Sequence, residues 1–193
     1  MIATRSRPAV FLDRDGVLNE GFVRDGVPTP PRSLDEFHVL PGVAMACSDL
    51  RRAGFALVVV TNQPDIARGV LTAAEVDRMH ERLRSRVPLD EICVCVHDDS
   101  DGCACRKPQP GMLLDAAERL NLDLARSACV GDRWRDIEAA RRAGVRAVYV
   151  ERHYGEPAPA GADVAVADLG EAAAWIRRQE WATGGHTNGG PYR

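Results

Sequence analysis

The chain has 193 residues, of which 45% are hydrophobic and 27% are charged, and its formal net charge at pH 7 is −3. This length and apolar content favour one domain with a core of its own, and the slightly acidic balance argues against nucleic acid or an anionic membrane as a partner. No apolar stretch approaches the roughly 20 residues that span a bilayer, and the basic segment 1–8 precedes no apolar signal segment. We therefore expect a cytoplasmic protein, a monomer, with a small soluble ligand.

The first half of the chain alternates short apolar runs with amphipathic segments. Residues 9–12 are a predicted strand, and 21–31 is predicted to be loop because its prolines cannot continue a ladder or a helix. Apolar spacing predicts a helix over 43–53, and the continuous apolar run 55–60 is typical of a strand buried on both faces. The capping box Thr-Ala-Ala-Glu at 72–75 predicts that a further helix begins there.

The second half of the chain continues this alternation. Residues 91–97 alternate apolar and polar side chains with a period of two, as in a strand. Strands that alternate with helices indicate βαβ units, so we predict an α/β fold with a doubly wound, Rossmann-like parallel sheet. We predict one domain over 1–182 and a flexible, glycine-rich tail over 183–193. The remaining predicted elements are helices at 111–120, 134–143 and 169–181 and strands at 128–130, 147–150 and 164–167.

Two aspartates, Asp13 and Asp15, directly follow the first predicted strand. Strand alternation would place both carboxylates on one face, where their repulsion needs a cation or a shared proton. Mg²⁺ takes hard oxygen ligands and keeps water molecules that a phosphate can displace, so it is the cation that we predict here.

Polar side chains also follow three later strands. In a doubly wound sheet, ligands bind at the carboxyl ends of the strands, beside a topological switch point. Carboxylates, a hydroxyl and a lysine at this edge are what phosphoryl transfer needs, namely a nucleophile, metal ligands and donors for the phosphoryl oxygens. The residues in question are Thr61 and Asn62, Arg106 and Lys107, and Asp132 and Asp136.

Each of these residue types also has an ordinary structural use. Asp15 followed by glycine suits a turn, and Asp132 suits a helix N-cap. A lone lysine such as Lys107 is often a solvated surface charge, and Asp136 could make contacts one helical turn away. The ordered set of all these residues favours the catalytic interpretation, with Asp136 as a supporting acid.

The cysteines are clustered, with four of the six lying between positions 93 and 105. Because no secretion signal accompanies them, we interpret them first as metal ligands and second as a disulfide or inert core thiols. Three thiolates and one imidazole make a closed, structural Zn²⁺ site, which would stiffen the loop before Arg106 and Lys107. Cys47, Cys93 and Cys129 are interpreted as core residues. The predicted zinc ligands are Cys95, His97, Cys103 and Cys105.

From residue 10 to residue 150 the sequence resembles the haloacid dehalogenase superfamily of phosphotransferases. The resemblance is carried by Phe-Leu-Asp-Arg-Asp-Gly at 11–16, Val-Thr-Asn-Gln at 60–63, Arg-Lys-Pro at 106–108 and Gly-Asp-Arg-Trp-Arg-Asp at 131–136. These segments are similar to the four superfamily motifs and occur in the same order.

The resemblance implies a role for each of five residues. Asp13 would be the nucleophile that forms an aspartyl-phosphate, and Asp15 would first protonate the leaving oxygen and then activate water. Thr61 and Lys107 would hold the phosphoryl oxygens. Asp132 would bind Mg²⁺ together with Asp13 and the backbone carbonyl of Asp15.

Within the superfamily, the sequence resembles the zinc-containing histidinol-phosphatase-like branch, which includes heptose-1,7-bisphosphate 7-phosphatases and histidinol-phosphate phosphatases. Asp-Arg-Asp-Gly-Val-Leu-Asn at 13–19, Cys-x-His at 95–97 and the segment 103–112 carry this match. The substrate contacts that it implies are Arg14, Asn19, Asn62, Gln63, Arg106 and Arg133.

Two departures from the pattern of the branch concern the leaving-group side of the site. The loop after Asn19 is short, and Pro64-Asp65 stands where Ser-Gly is usual. The segment 17–54 leaves no room for a large cap domain, and an open site favours hydrolysis over retention of the phosphoryl group. We predict a Mg²⁺-dependent phosphomonoester hydrolase of a small phosphorylated metabolite, a heptose bisphosphate or, alternatively, histidinol phosphate. A noncatalytic, zinc-stabilised binding protein is the alternative of another class.

Overall fold

The computed structural model describes residues 6–152, 154–155 and 158–179. Six strands form one parallel sheet in the order β5-β4-β1-β6-β7-β8, and two further strands form an antiparallel hairpin. The fold prediction of a doubly wound α/β sheet is therefore confirmed. The strands are β1 Ala9–Leu12, β2 Phe22–Arg24, β3 Val27–Thr29, β4 Ala56–Asn62, β5 Glu91–Cys95, β6 Ala128–Gly131, β7 Arg146–Val150 and β8 Val164–Val166, and the helices are α1 Val43–Arg52, α2 Ala73–Arg84, α3 Gly111–Leu120, α4 Trp134–Ala143 and α5 Leu169–Arg177.

The central strand β1 supplies side chains to two separate hydrophobic cores. Val10 and Leu12 point to one face of the sheet, where they join apolar residues of α1, α2 and α5. Ala9 and Phe11 point to the other face, where they join residues of α3 and α4. All four residues are fully buried, as expected for a parallel strand covered on both faces.

The sheet has its topological switch point at β1, which pairs with β4 on one side and β6 on the other. The chain adds β4 and β5 on one side of β1 and then β6, β7 and β8 on the other. A crevice opens at the carboxyl ends of the strands where the two sides meet. Asp13 follows β1 at this point, and its backbone N–H donates to the carbonyl of Val130 at 2.9 Å.

The prediction that 21–31 is entirely loop is wrong, because β2 and β3 form a hairpin there. Asp25 and Gly26 occupy its turn with φ angles of 52° and 75°, the left-handed values that a tight hairpin turn with a right-handed strand twist requires. Pro28 lies opposite Val23 in this two-stranded ladder, where a missing donor is tolerated. The hairpin borders the crevice, and in the described part of the chain no larger insertion lies between β1 and α1.

Several element ends differ from the predicted ones by a few residues. The helix predicted over 169–181 ends at Arg177, and the strand predicted over 91–97 ends at Cys95. Residues 180–193 lie outside the described residues. This range contains the last two residues of the predicted helix and the whole predicted tail. No helix of the described residues is both long enough and apolar enough to cross a membrane.

Candidate active site

The carboxyl ends of β1 and β6 and the loop after β5 bring Asp13, Asp15, Asp132 and Lys107 to one cavity of about 270 Å³. Thr61, at the end of β4, is buried and is not among the residues that line it. Leu12, the residue before Asp13, pairs with Val59 of β4 and with Val130 of β6. The predicted convergence of strand ends is therefore present in the structure. Residues that line the cavity include Asp13, Asp15, Asn62, Lys107, Asp132 and Asp136.

Lys107 lies at the floor of this cavity between two carboxylates. Its Nζ is 2.8 Å from Asp13 Oδ1 and 2.6 Å from Asp136 Oδ1, and it donates to the carbonyl of Val60 at 2.7 Å. Only 2% of Lys107 is exposed. Although burial opposes it, the charges of Asp13 and Asp136 raise the pKa of Lys107, so the amine stays protonated. The solvated surface lysine considered above is therefore excluded.

Asp13 is buried beside this lysine. Burial, together with the charges of Asp136 and Asp15 and against that of Lys107, raises the pKa of Asp13 to about 7. Its Oδ1 accepts hydrogen bonds from Lys107 and from the backbone N–H of Arg14. A bound cation would favour the ionised, nucleophilic form of this carboxylate.

Three carboxylates form what we call the carboxylate cluster, namely Asp13, Asp132 and Asp136, whose ligand oxygens lie within 4.8 Å of one another. Asp132 Oδ2 accepts a hydrogen bond from the hydroxyl of Tyr154 at 2.6 Å, and Asp132 Oδ1 is buried with no partner among the described residues. Burial and the neighbouring charges raise the pKa of Asp132 well above its usual value. Crowded carboxylates and one free buried oxygen fit Mg²⁺, which prefers oxygen ligands.

The carboxylate of Asp15 does not belong to the carboxylate cluster. Its Oδ1 accepts from Arg14 Nε at 3.1 Å and Asn19 Nδ2 at 2.9 Å, and its Oδ2 accepts from a second Arg14 nitrogen at 3.1 Å and from Gln63 Nε2 at 2.8 Å. Four donors thus fix the direction of this side chain. The predicted metal contact of Asp15 through its backbone carbonyl stays a prediction.

Arg14, Asn19 and Gln63, the predicted substrate contacts, are fully buried and donate to Asp15 in this structure. Their contact with a substrate stays a prediction. A motif gives the spacing of side chains along the chain, but burial behind the strand end decides which of them reach the cavity. Arg14 is held in turn by His80 Nε2 at 3.1 Å and lies over the ring of Phe37.

Thr61 and Asn62 follow β4 and have different partners. Asn62 Nδ2 donates to the carbonyl of Lys107 at 3.0 Å, and its Oδ1 accepts from the N–H of Lys107 at 3.1 Å. Thr61 Oγ1 accepts from Gln63 at 2.8 Å, which leaves its own hydroxyl proton available for donation. Asn62 positions Lys107, whereas the predicted contact of Thr61 with a phosphoryl oxygen stays a prediction.

Arginines surround the mouth of the cavity. Arg106 and Arg133 line it as predicted, and Arg68 and Arg135, which the sequence interpretation did not single out, line it as well. Arg106 and Arg135 each donate to Asp99 Oδ1 at 2.8 Å. Arg68 pairs in turn with Asp98. Guanidinium groups at the mouth can donate hydrogen bonds to an anionic ligand.

The predicted zinc ligands also lie together, and we call Cys95, His97, Cys103 and Cys105 the thiol cluster. The sulfur of Cys105 is 3.2 Å from that of Cys95 and 3.4 Å from that of Cys103, and His97 Nδ1 is 3.3 Å from the Cys105 sulfur. Tetrahedral Zn²⁺ with ordinary bond lengths would need ligand separations of about 3.6–3.8 Å. The separations of the Cys95 sulfur from the Cys103 sulfur, 3.7 Å, and from His97 Nδ1, 3.6 Å, match this range, whereas the three separations around the Cys105 sulfur are shorter. The donor set fits zinc. Cys95 and His97 precede a short 3₁₀ turn at Asp99–Asp101, and Cys103 and Cys105 follow it.

Comparison with known proteins agrees with this geometry. The sequence profile of the haloacid dehalogenase-like hydrolases matches residues 31–144. The chain belongs to this family. It is 43% identical over 156 residues to the D-glycero-beta-D-manno-heptose-1,7-bisphosphate 7-phosphatase of Yersinia pestis, which covers 74% of the chain and 79% of the relative. It is also 43% identical to the enzyme of the same name from Escherichia coli K12, over 73% of the chain and 77% of the relative.

Solved structures of such enzymes have the same fold. The D,D-heptose 1,7-bisphosphate phosphatase of B. bronchiseptica, solved with magnesium and phosphate, matches with a TM-score of 0.75 and 36% identity over 88% of this chain and 97% of that one. The corresponding enzyme from Burkholderia thailandensis matches with a TM-score of 0.62 and 30% identity, over 90% of this chain and all of that one. The predicted haloacid dehalogenase-type phosphatase is confirmed, and the noncatalytic interpretation is set aside.

Proposed function

We propose that this phosphatase removes the 7-phosphate of a heptose 1,7-bisphosphate. The observation that carries the proposal is the cavity floor, where Lys107 joins Asp13 and Asp136 while Asp132 presents an unpartnered oxygen. This arrangement can hold a phosphoryl group and a divalent cation against a nucleophile. The named relatives support the choice of substrate, and the arginines at the mouth suit a substrate with a second phosphate.

The chemistry proceeds through two displacements at phosphorus. A carboxylate oxygen of Asp13 attacks the phosphorus, the bond to the sugar oxygen breaks, and Asp15 gives that oxygen its proton. Asp15 then takes a proton from water, whose oxygen attacks the aspartyl-phosphate, so that inorganic phosphate leaves and Asp13 is regenerated. Lys107 and the Thr61 hydroxyl hold the phosphoryl oxygens throughout.

We further propose that Asp13 and Asp132 hold Mg²⁺, with Asp136 beside them. Bound there, Mg²⁺ neutralises charge on the phosphoryl oxygens and relieves the repulsion within the carboxylate cluster. Asp136 is already paired with Lys107, so it supports the lysine and the cluster together.

We propose Zn²⁺ as the ligand of the thiol cluster. The site is closed, with four protein ligands, so zinc there is structural and stabilises the turn that precedes Arg106 and Lys107. Cytoplasmic location and a monomeric state remain predictions from the sequence.

The substrate proposal is tested by comparing kcat/KM for heptose 1,7-bisphosphate with that for histidinol phosphate. A second phosphate gains charge-assisted hydrogen bonds from the arginines, whereas the protonated amine of histidinol phosphate is repelled by them. We expect the bisphosphate to be favoured by about 10–100-fold. Preference for histidinol phosphate would contradict the proposal.

The nucleophile is tested in the same assay with Asp13→Asn. An amide cannot form the aspartyl-phosphate, so we expect activity to fall by at least about 10⁴-fold. Mass spectrometry of acid-quenched protein should find one phosphoryl group on the wild type and none on the variant. Asp115→Asn, the same change at an exposed position of α3, is the matched control and should keep full activity. Full turnover by Asp13→Asn would refute the mechanism.

A further inference from the structure

Tyr154 reaches the carboxylate cluster from a segment that the sequence motifs do not include. The segment follows β7 and is fastened to the loop after β1, since Arg152 Nε donates to the carbonyl of Gly16 at 2.8 Å. From there the Tyr154 hydroxyl donates to Asp132 Oδ2 at 2.6 Å. This tyrosine therefore lies against a proposed metal ligand although it is 22 residues away along the chain.

The hydrogen bond determines which oxygen of Asp132 is available. With Oδ2 held by the phenol, Oδ1 is the buried oxygen without a partner among the described residues. The phenol has one O–H to donate, and the described partner of that donor is Asp132 Oδ2. Groups that hydrogen-bond to metal ligands in this way fix the orientation of the ligand.

Two glycines make room for this hydroxyl. A Cβ at Gly21 would lie 2.6 Å from the Tyr154 oxygen, whereas its next neighbours, backbone atoms of Gly16, would be at 3.4 Å or more. Gly21 does not have a positive φ, so its backbone would accept other residues. Gly16 differs, because its φ of 84° and its contact with Asp132 both require glycine. Among the described residues, the Tyr154 hydroxyl is therefore the group that a side chain at position 21 would clash with.

We propose that Tyr154 is a positioning residue that orients Asp132 toward the divalent cation, and that Gly21 is glycine in order to admit the Tyr154 hydroxyl. The inference rests on the proposed Mg²⁺ site. It assigns to this chain a functional pair, Tyr154 and Gly21, that lies outside the four motifs.

The test is Tyr154→Phe, with Mg²⁺ binding measured by titration calorimetry in the absence of substrate. Loss of the hydroxyl frees the Asp132 side chain, and we expect the Kd for Mg²⁺ to rise about 10–100-fold. The Mg²⁺ concentration for half-maximal activity should rise by the same factor, while kcat at saturating Mg²⁺ should change much less. Equal Mg²⁺ affinities of wild type and variant would overturn this inference alone. A wild-type protein that binds no Mg²⁺ would overturn the proposed metal site as well.

The pairing with Gly21 is tested by a double-mutant cycle. Gly21→Ala should weaken Mg²⁺ binding in the wild type because the methyl group displaces the phenol, and it should cost little in the Tyr154→Phe background, where the hydroxyl is absent. Additive effects would show that Gly21 does not act through Tyr154. Thermal unfolding of each variant confirms that it is folded, and the nearly isosteric Tyr154→Phe decides the main claim if Gly21→Ala is unstable.

Discussion

The segment from Cys103 to Lys107 contributes to both clusters, two cysteines to the thiol cluster and the Lys107 amine to the carboxylate cluster, but the two clusters are held together differently. The carboxylate cluster is buried and has its own cation, the Lys107 amine, as well as the Tyr154 hydroxyl. In the thiol cluster only Cys95 is buried, His97 is exposed, and no described lysine or arginine pairs with the sulfurs. The first site is therefore built around a buried cation of the protein itself, whereas the loop of the second is held by ion pairs near the surface, namely Arg68 with Asp98 and Arg106 and Arg135 with Asp99. We expect Mg²⁺ removal to cost activity and Zn²⁺ removal to cost local order.

The largest effect is expected when Lys107→Met removes the internal cation of the carboxylate cluster. The variant would lose the proposed donor to the phosphoryl oxygens, and it leaves the buried carboxylates of Asp13 and Asp136 without their cation. We expect kcat/KM to fall by about 10³-fold or more, and the free energy of unfolding of the metal-free protein at pH 7.5 to fall by roughly 3–5 kcal/mol. Steady-state kinetics and urea unfolding measure the two effects.

Arg52→Met is the matched control for Lys107→Met. Arg52 pairs with Asp49 on the surface, and 75% of its side chain is exposed, so its removal should cost at most about 1 kcal/mol and no activity. If Lys107→Met were as mild as this control, the carboxylate cluster would not depend on its internal cation.

A smaller effect on activity, but a larger one on local order, is expected from Cys105→Ser in the thiol cluster. Loss of one of the four ligands should release zinc and unfold the turn around Asp99, because the turn has no buried residues of its own. Hydrogen exchange should then accelerate over residues 96–106 while amides of β1 and β4 stay protected. Activity should fall about tenfold as Arg106 and Lys107 lose their support.

Cys93→Ser is the matched control, since Cys93 lies on the same strand two residues before Cys95 but outside the thiol cluster. It should retain one zinc per chain in elemental analysis. Retention of zinc and unchanged exchange in Cys105→Ser would contradict the proposed structural role of the metal.

The placement of the floor of the site was predictable from the sequence, whereas the support around it was not. Asp13, Lys107 and Asp132 meet because the carboxyl ends of parallel strands meet, and that follows from the alternation of strands and helices. The prolines of the segment 21–31 indicate a loop, whereas its turn residues Asp25 and Gly26 indicate the hairpin that forms at 22–29. Tyr154 lies in an irregular segment without a periodic pattern, so only the folded chain brings it to Asp132.

The contacts of the buried residues behind the end of β1 likewise could not be predicted from the sequence. Motif spacing placed Arg14, Asn19 and Gln63 near the site, but which side chains turn inward depends on packing against α2 and on the loop after β1. Their full burial assigns them to Asp15 rather than to the cavity. The same packing brings His80 of α2 onto Arg14, a contact with no signal in the sequence.

The smallest expected effect concerns the contact between His80 and Arg14, in which a neutral imidazole is needed to accept the hydrogen bond. Burial, together with the charge of Arg14, lowers the pKa of His80 to about 4, so at neutral pH its Nε2 can accept the hydrogen bond from Arg14. As the pH falls from about 6.5 to 4, the unfolded chain takes up this proton before the folded one does. The contribution of His80 to stability is therefore present above pH 6.5 and is lost toward pH 4.

We expect His80→Gln, which keeps an acceptor but cannot titrate, to flatten this dependence. The free energy of unfolding of each protein is measured with urea between pH 4.5 and 7.5. The difference between variant and wild type should change by on the order of 2 kcal/mol across this range. Taking the difference removes the contributions of the carboxylates that titrate in the same range, and His38→Gln, at an exposed position, controls for the loss of a histidine. Parallel curves for wild type and His80→Gln would mean that the pKa of His80 is the same in the folded and the unfolded chain, so that burial beside Arg14 does not keep the imidazole neutral.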